Sequence, residues 1–311
     1  MIKRTLHFGN PAYLSMRNNQ LVIKLPEVEQ NQTLPEFIKK EAIRTIPIED
    51  IGVVILDNQQ ITLSHALLSA FMENNVALIQ CDASHHPLGL MLPLHSNTVQ
   101  HERYQSQLAS SEPLRKQLWA QVVAQKVKNQ AIALAKSTGD GTYLEQLSKQ
   151  IKSGDSNNIE GTAAAYYWKR IFTQINDFKR FREGSPPNNY LNYAYSLLRA
   201  NMARCIVAAG LLPTLGIHHH NRYNAYCLAD DLMEPYRPFA DLVVVQLSKQ
   251  IEMQEHLTKD HKIELLKIPS MDVIINDENS PLMVAMQKTA YSLVKCYDGQ
   301  AKKLVLPTFK T

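Results

Sequence analysis

A glutamate, a histidine run and a short acidic stretch stand out among the 311 residues as groups able to do chemistry. Glu160 lies in Ser156-Asn157-Asn158-Ile159-Glu160-Gly161, where serine and asparagine from Ser156 to Asn158 mark a helix start. Regular helical spacing then sets Glu160 on one face with Ala164, Tyr167 and Ile171. A carboxylate on an apolar stripe is costly unless it is neutralised, ion-paired or bound to a metal, so the position asks for a partner. Complementing the helix macrodipole is the simpler alternative. His218, His219 and His220 follow the helix stop Ala209-Gly210-Leu211-Leu212-Pro213 and therefore fall in a loop. Consecutive side chains diverge, so one or two of the three can face a shared site; neutral imidazole is a common metal ligand, and a solvated polar loop is the competing reading. In Asp230-Asp231-Leu232-Met233-Glu234-Pro235-Tyr236-Arg237-Pro238 the two prolines belong in a first helical turn, so a helix begins close to Glu234. Asp231 and Glu234 then sit at its mouth, as caps or as ligands, with Arg237 a neighbouring counter-charge.

Glu160, His219 and Glu234 together offer two hard oxygen donors and one imidazole, a set that suits Mg²⁺ or Mn²⁺ better than a thiolate-rich site would; zinc is also compatible. A divalent ion so held binds a phosphate oxygen and stabilises charge as a phosphodiester is displaced. Lys169-Arg170-Ile171-Phe172 and Phe178-Lys179-Arg180-Phe181-Arg182 interleave basic and aromatic residues, a pattern that neutralises phosphates and stacks on unpaired bases. Lys179, Arg180 and Arg182 are the candidate phosphate contacts, with Tyr166 and Tyr167 near the site. A solvated helix end and loop is the plainer reading of the same charges.

Two kinds of element must position these groups. Residues 1–97 carry short apolar runs of strand length: Ala12 to Met16 and Leu21 to Leu25 flanking an Asn18-Asn19 turn, then Ile51 to Leu56, Val76 to Ile79 and Leu88 to Leu92. One short helix over Thr62 to Asn74 interrupts them. From residue 98 the period becomes helical, with candidates at Pro113–Lys136, Tyr143–Ile151, Asn158–Ile175, Asn188–Ala209, Met233–Ile251 and Pro281–Cys296. In the first of these Arg115, Lys116, Lys126 and Lys128 are read as solvent-facing; in the last, Ser280 and Pro281 are read as N-cap and first helical residue. The fold class is therefore α+β, a β-rich domain (1–97) followed by a larger all-α domain (98–311). At 45% apolar and 20% charged the chain is globular and not disordered. With 33 Lys+Arg against 29 Asp+Glu, its net charge of +4 permits a polyanionic partner without demanding one. Four scattered cysteines without a C-x-x-C pair argue against a disulfide framework and a zinc knuckle. The absence of a secretory or membrane-length apolar run leads to the expectation of a soluble, cytoplasmic protein.

Three blocks resemble the CRISPR-associated adaptation integrases, here called Cas-one, and most closely their type II members. They are Asn158-Ile159-Glu160-Gly161 running to Tyr167-Trp168; Pro186-Pro187-Asn188-Asn189-Tyr190-Leu191-Asn192-Tyr193-Ala194-Tyr195-Ser196-Leu197-Leu198-Arg199; and Leu215-Gly216-Ile217-His218-His219 through Asp231-Leu232-Met233-Glu234-Pro235-Tyr236-Arg237-Pro238. Their order and spacing match over about eighty residues. The resemblance implies an N-terminal β-sandwich-like domain that contributes to dimerisation and an α-helical catalytic domain. It places the metal ligands on Glu160, His219 and Glu234, with Asp231 supporting and His218 the competing ligand. It also implies Mg²⁺ or Mn²⁺, a homodimer, and a small partner protein, Cas-two. The implied reaction inserts a short DNA fragment into a CRISPR array, each 3′-hydroxyl attacking a phosphodiester at a repeat boundary. A catalytically inactive DNA-binding scaffold and a zinc-dependent small-molecule hydrolase are the alternatives from other classes. The scaffold needs only the basic segment, the hydrolase only the acids.

Overall fold

The computed structural model describes all residues except Met1, Ser84, His86, Ser96, Asn176, Asp177, Arg182, Glu183 and Thr311. It divides into two compact units, Met1–Ser96 and Asn97–Thr311. The first runs β1 (Arg4–Phe8), β2 (Tyr13–Arg17), β3 (Gln20–Lys24), α1 (Pro26–Glu29), α2 (Glu36–Ala42), β4 (Arg44–Pro47), β5 (Ile51–Leu56), β6 (Thr62–Leu63), α3 (His65–Glu73), β7 (Ala77–Cys81) and β8 (Pro87–Met91). Asn18 and Asn19 take φ of 50° and 57°, the conformation a tight hairpin turn requires, and β2 pairs antiparallel with β3 as their flanking apolar runs predict. Two four-stranded sheets result, ordered β1-β5-β7-β8 and β4-β3-β2-β6. Leu14 and Leu21 from one sheet, Ile51, Val54 and Leu78 from the other, and Leu67 and Phe71 of α3 share a buried cluster. Full burial of each large apolar side chain there contributes about 1.5–3 kcal/mol.

Helix α3 starts later than the apolar spacing predicts. Thr62 and Leu63 pair instead with Tyr13 and Leu14 as a short strand, and the Ser64 side chain accepts from Leu67 N to cap the helix behind them. The helices α1 and α2 and the strands β1 and β4 were not legible as such.

The second unit runs α4 (Gln100–Leu108), α5 (Glu112–Thr138), α6 (Thr142–Ser148), α7 (Ile159–Ile171), α8 (Asn188–Ala208), α9 (Cys227–Met233), α10 (Arg237–Gln250), α11 (Lys259–Leu265), β9 (Asp272–Ile275), β10 (Glu278–Pro281) and α12 (Leu282–Tyr297). It is helical but not all-α: β9 and β10 form an antiparallel hairpin turned by Asn276 and Asp277, both at positive φ. The hairpin also corrects the start of α12. Ser280 belongs to β10 opposite Val273, and Pro281 is the N-cap, so the helix starts one position later than the proline pattern suggested. Helix α5 is the spine of this unit and packs against α6, α7 and α10. Its Ser111 side chain accepts from Leu114 N at one end, and Gly139 at φ 89° ends it in the left-handed conformation at the other. Among the described residues, no helix is long and apolar enough to cross a membrane.

Candidate active site

The chain reaches Glu160 through a tight turn with Asn158 at φ 50°. The side chain that caps α7 is Asp155, not one of Ser156 to Asn158: its two carboxylate oxygens accept from Ile159 N at 2.9 Å and from Glu160 N at 3.0 Å. Its two oxygens thus satisfy one orphan amide each, and its charge complements the positive end of the helix. The buried stripe of α7 is Ile159, Ala163, Tyr167 and Ile171, and Glu160 lies at its margin with its side chain 24% exposed. Glu234 opens a 3₁₀ turn, Glu234–Tyr236, that leads into α10, with Pro235 and Pro238 in first-turn positions as proline geometry predicts. Its side chain is 5% exposed.

The two acids meet at one cation, the ammonium of Lys126. The Nζ atom lies 2.6 Å from Glu160 Oε1 and 2.6 Å from Glu234 Oε2. Arg237 Nη2 adds a contact of 3.1 Å to Glu234 Oε1, the counter-charge its spacing suggested. Burial alone would raise Glu234, but Arg237 and Lys126 outweigh it and hold the carboxyl below its ordinary range. Burial likewise works against the charge on Lys126, and Glu234 and Glu160 overcome it, keeping the ammonium charged. Stripping the lysine from so buried a pair would strand its partners' charge at a cost of about 3–5 kcal/mol. Lys126 is thus not solvent-facing. Trp119, Val122, Val123 and Lys126 follow i, i+3, i+4, i+7 on the buried face of α5. That spacing was the available signal for this residue.

The histidine loop is held by Asp231, which is fully buried. Its carboxylate accepts from His218 N at 2.8 Å and lies 2.5 Å from His219 Nδ1. Because a carboxylate only accepts, Nδ1 carries the proton, which leaves Nε2 of the neutral ring with its lone pair available. This hydrogen bond raises His219 above the ordinary imidazole range, whereas burial lowers His218. His218 lies flat on Trp119, centroids 4.4 Å apart, and His219 meets the same indole edge-on at 5.5 Å. Gly216 makes the turn possible: a Cβ there would fall 2.3 Å from the His219 carbonyl oxygen and 2.8 Å from Asp231 Oδ2. Glu234 and Glu160 both act electrostatically on His219. Among the described residues, no three His, Cys, Asp or Glu side chains form a group that could hold a metal as they stand.

The tyrosine-rich block frames the site and does not belong to its chemistry. Tyr167 and Tyr195 donate to the buried carboxylate of Asp241 at 3.0 and 2.5 Å, tying α7, α8 and α10 together. Burial pushes Asp241 up to about 7, against the pull of those two hydroxyls. Tyr167 is fully buried and cannot stack on a base, which corrects its reading as a DNA contact. Tyr166 is half-buried against Tyr143 and carries the Arg170 guanidinium 3.7 Å above its ring. Arg180 is spent internally: it donates to Asn188 Oδ1 at 3.1 Å, to Asn192 Oδ1 at 2.6 Å and to the Phe181 carbonyl. Asn188 fixes the segment further, accepting from Phe181 N and donating to Lys179 O. What this segment presents to solvent is Lys179 and Phe181; Arg182 lies outside the described residues. Arg199 forms a two-pronged pair with Asp230, 2.7 and 3.0 Å.

A helical unit that brings two acids to one ammonium, within electrostatic reach of an imidazole oriented by a third carboxylate, defines a chain equipped to gather positive charge near a base. The family model described as "CRISPR associated protein Cas1" matches residues 7–276, and the chain belongs to that family, the Cas-one family of the sequence resemblance. It is 35% identical over 310 residues to a CRISPR-associated endonuclease Cas1 of Neisseria meningitidis serogroup C, covering 99% of this chain and 96% of the relative. A second such endonuclease, from Pyrobaculum aerophilum, is 29% identical over 82% of this chain and 90% of its own. Among solved structures, a casposase bound to integration product superposes with a TM-score of 0.73 at 21% identity, covering 98% and 92% of the two chains. A Cas1 protein from Thermotoga maritima gives 0.71 at 17% identity with 99% of each chain covered. These likenesses establish the mixed α+β fold.

Proposed function

We propose that this chain is a metal-dependent DNA integrase and endonuclease of CRISPR adaptation, joining 3′-hydroxyl ends of short DNA fragments to phosphodiesters at repeat boundaries. The observation that carries this reading is the convergence of Glu160 and Glu234, from distant segments, on a single cationic centre within electrostatic reach of His219. The residues fit a divalent ion. Their donors are hard oxygens with an imidazole at hand, and Glu234 Oε2 is buried without a well-directed hydrogen bond among the described residues, its compensation being the ammonium 2.6 Å away. Glu160 and Glu234 would hold Mg²⁺ or Mn²⁺, with His219 as third ligand through Nε2 and Asp231 fixing that ring's tautomer and direction. The bound ion would supply Lewis-acid stabilisation of charge on phosphate oxygens. Lys179 and Phe181 would meet the DNA from outside, one by neutralising phosphate and the other by stacking. One chain of a Cas6-RT-Cas1–Cas2 complex superposes with a TM-score of 0.71 over 97% of this chain and 35% of its own, consistent with a Cas-two partner. Assembly as a homodimer through the first unit is consistent with its edge strand β8, where Leu88 and Met91 are exposed.

The test is strand joining of short duplex DNA into a supercoiled repeat-bearing plasmid, with Mg²⁺, Mn²⁺ or chelator, with and without the small partner. Glu160→Ala and His219→Ala are expected to abolish joining and keep DNA binding. Joining at the parental rate by both variants would refute the assignment. DNA binding unaffected by chelator, with no joining under any condition, would favour the inactive scaffold.

A further inference from the structure

We propose that Lys126 is the resident counter-ion of the acid pair, competing with the divalent cation for Glu160 and Glu234 and thereby setting the affinity of the site for metal. The inference rests on the metal-site reading given above. Its basis is positional: one ammonium lies 2.6 Å from an oxygen of each acid, where a bound cation would need those same oxygens. The arrangement is built and not incidental. The lysine emerges from the buried face of α5, its side chain is only 11% exposed, and the helix is anchored nearby by Asn129, whose amide donates to Pro235 O at 2.7 Å and Pro307 O at 3.0 Å. The first of those bonds ties α5 directly to the turn that carries Glu234, so lysine and acid keep a fixed register.

Three consequences follow from ordinary electrostatics. The four side chains are near neutral in their immediate charge balance, because two carboxylates face Lys126 and Arg237. The fold therefore does not depend on metal to relieve repulsion between the buried Glu234 and the partly exposed Glu160. A divalent ion bound to those oxygens would displace the ammonium, whose flexible four-carbon stem would let it move aside, since a point charge has no fixed geometry to defend. Lys126 acts here through the acids and is a positioning residue.

The decisive experiment measures Mn²⁺ binding to the full-length protein without DNA, by the loss of the free-ion electron paramagnetic resonance signal. Lys126→Met keeps the stem and removes the charge; Lys126→Arg keeps the charge. Removing the competitor leaves the acid pair under-compensated, so Lys126→Met is expected to bind Mn²⁺ about tenfold more tightly or better, with Lys126→Arg within about threefold of the parent. An unchanged or weaker affinity in Lys126→Met would overturn the proposal while leaving the metal site intact. No Mn²⁺ binding by the parent or by Lys126→Met, with Glu160→Gln no different, would overturn the site itself and the proposal with it. Should Lys126→Met fail to fold, amine-reactive footprinting of the parental protein decides. Labelling of Lys126 should rise at saturating Mn²⁺, and labelling that stays the same or falls refutes its displacement.

Discussion

Asp241 offers a prediction whose size can be worked from the structure. Its carboxyl is 1% exposed and bonded by two tyrosine hydroxyls, and burial carries it from 3.8 to about 7. A carboxyl whose folded pKa is raised binds a proton more tightly in the native state than in the unfolded chain, so between these two values the protein loses stability as pH rises. From about pH 5 to about pH 7 the loss spans two units at about 1.36 kcal/mol each, or about 3 kcal/mol; above that it is complete and flat. Asp241→Asn removes the ionisation at constant shape. Its amide oxygen accepts from one tyrosine, and its amide nitrogen donates to the other's oxygen once that hydroxyl turns. Urea unfolding of parent and variant at about pH 5 and about pH 8 gives the difference directly, with other titrating groups cancelling. The variant should gain about 3 kcal/mol on the parent between the two conditions. Parallel stability curves would mean that Asp241 ionises as readily folded as unfolded, and that the two tyrosines stabilise its charge as much as burial opposes it.

Further expectations concern the loop and the basic segment. Gly216→Ala should displace the His219 carbonyl and the Asp231 carboxylate together, costing about 1–3 kcal/mol in thermal unfolding and most of the strand-joining rate; full activity would show that the close approach is dispensable. Lys179→Glu, at an exposed position, should leave stability within about 0.5 kcal/mol while weakening DNA binding and reducing its salt slope by about one, measured by fluorescence anisotropy over a salt series. Arg180→Ala should do the reverse in emphasis, lowering thermal stability through the loss of its bonds to Asn188 and Asn192, and a variant with unchanged stability and a flattened salt slope would restore Arg180 as a phosphate contact.

Much of the architecture could be read from residue order because local chemistry and tertiary context agree. The Asn18-Asn19 hairpin, the β5 run and the proline-marked start near Glu234 are of this kind. What was hidden depends on partners far along the chain. No local pattern says that Thr62 will pair with Tyr13, or that Lys126 will meet two acids in place of water. Tyr167 illustrates the same point from the other side. Beside Glu160 in sequence it looks like part of the chemistry, but the helix turns it inward to Asp241.

Adjacent residues of α9 hold different partners. Asp230 holds Arg199 and the amide of Asn224, while Asp231 holds His218 and His219. Both ends of the intervening stretch are therefore moored to one seven-residue helix. An engineer who wished to graft this imidazole onto a related scaffold, or to reshape the stretch by insertion, would have to carry α9 and the Arg199 anchorage along with it. Insertions between Asn221 and Asn224 would leave both moorings in place, and that short arc is where added length should be accommodated without moving the ring.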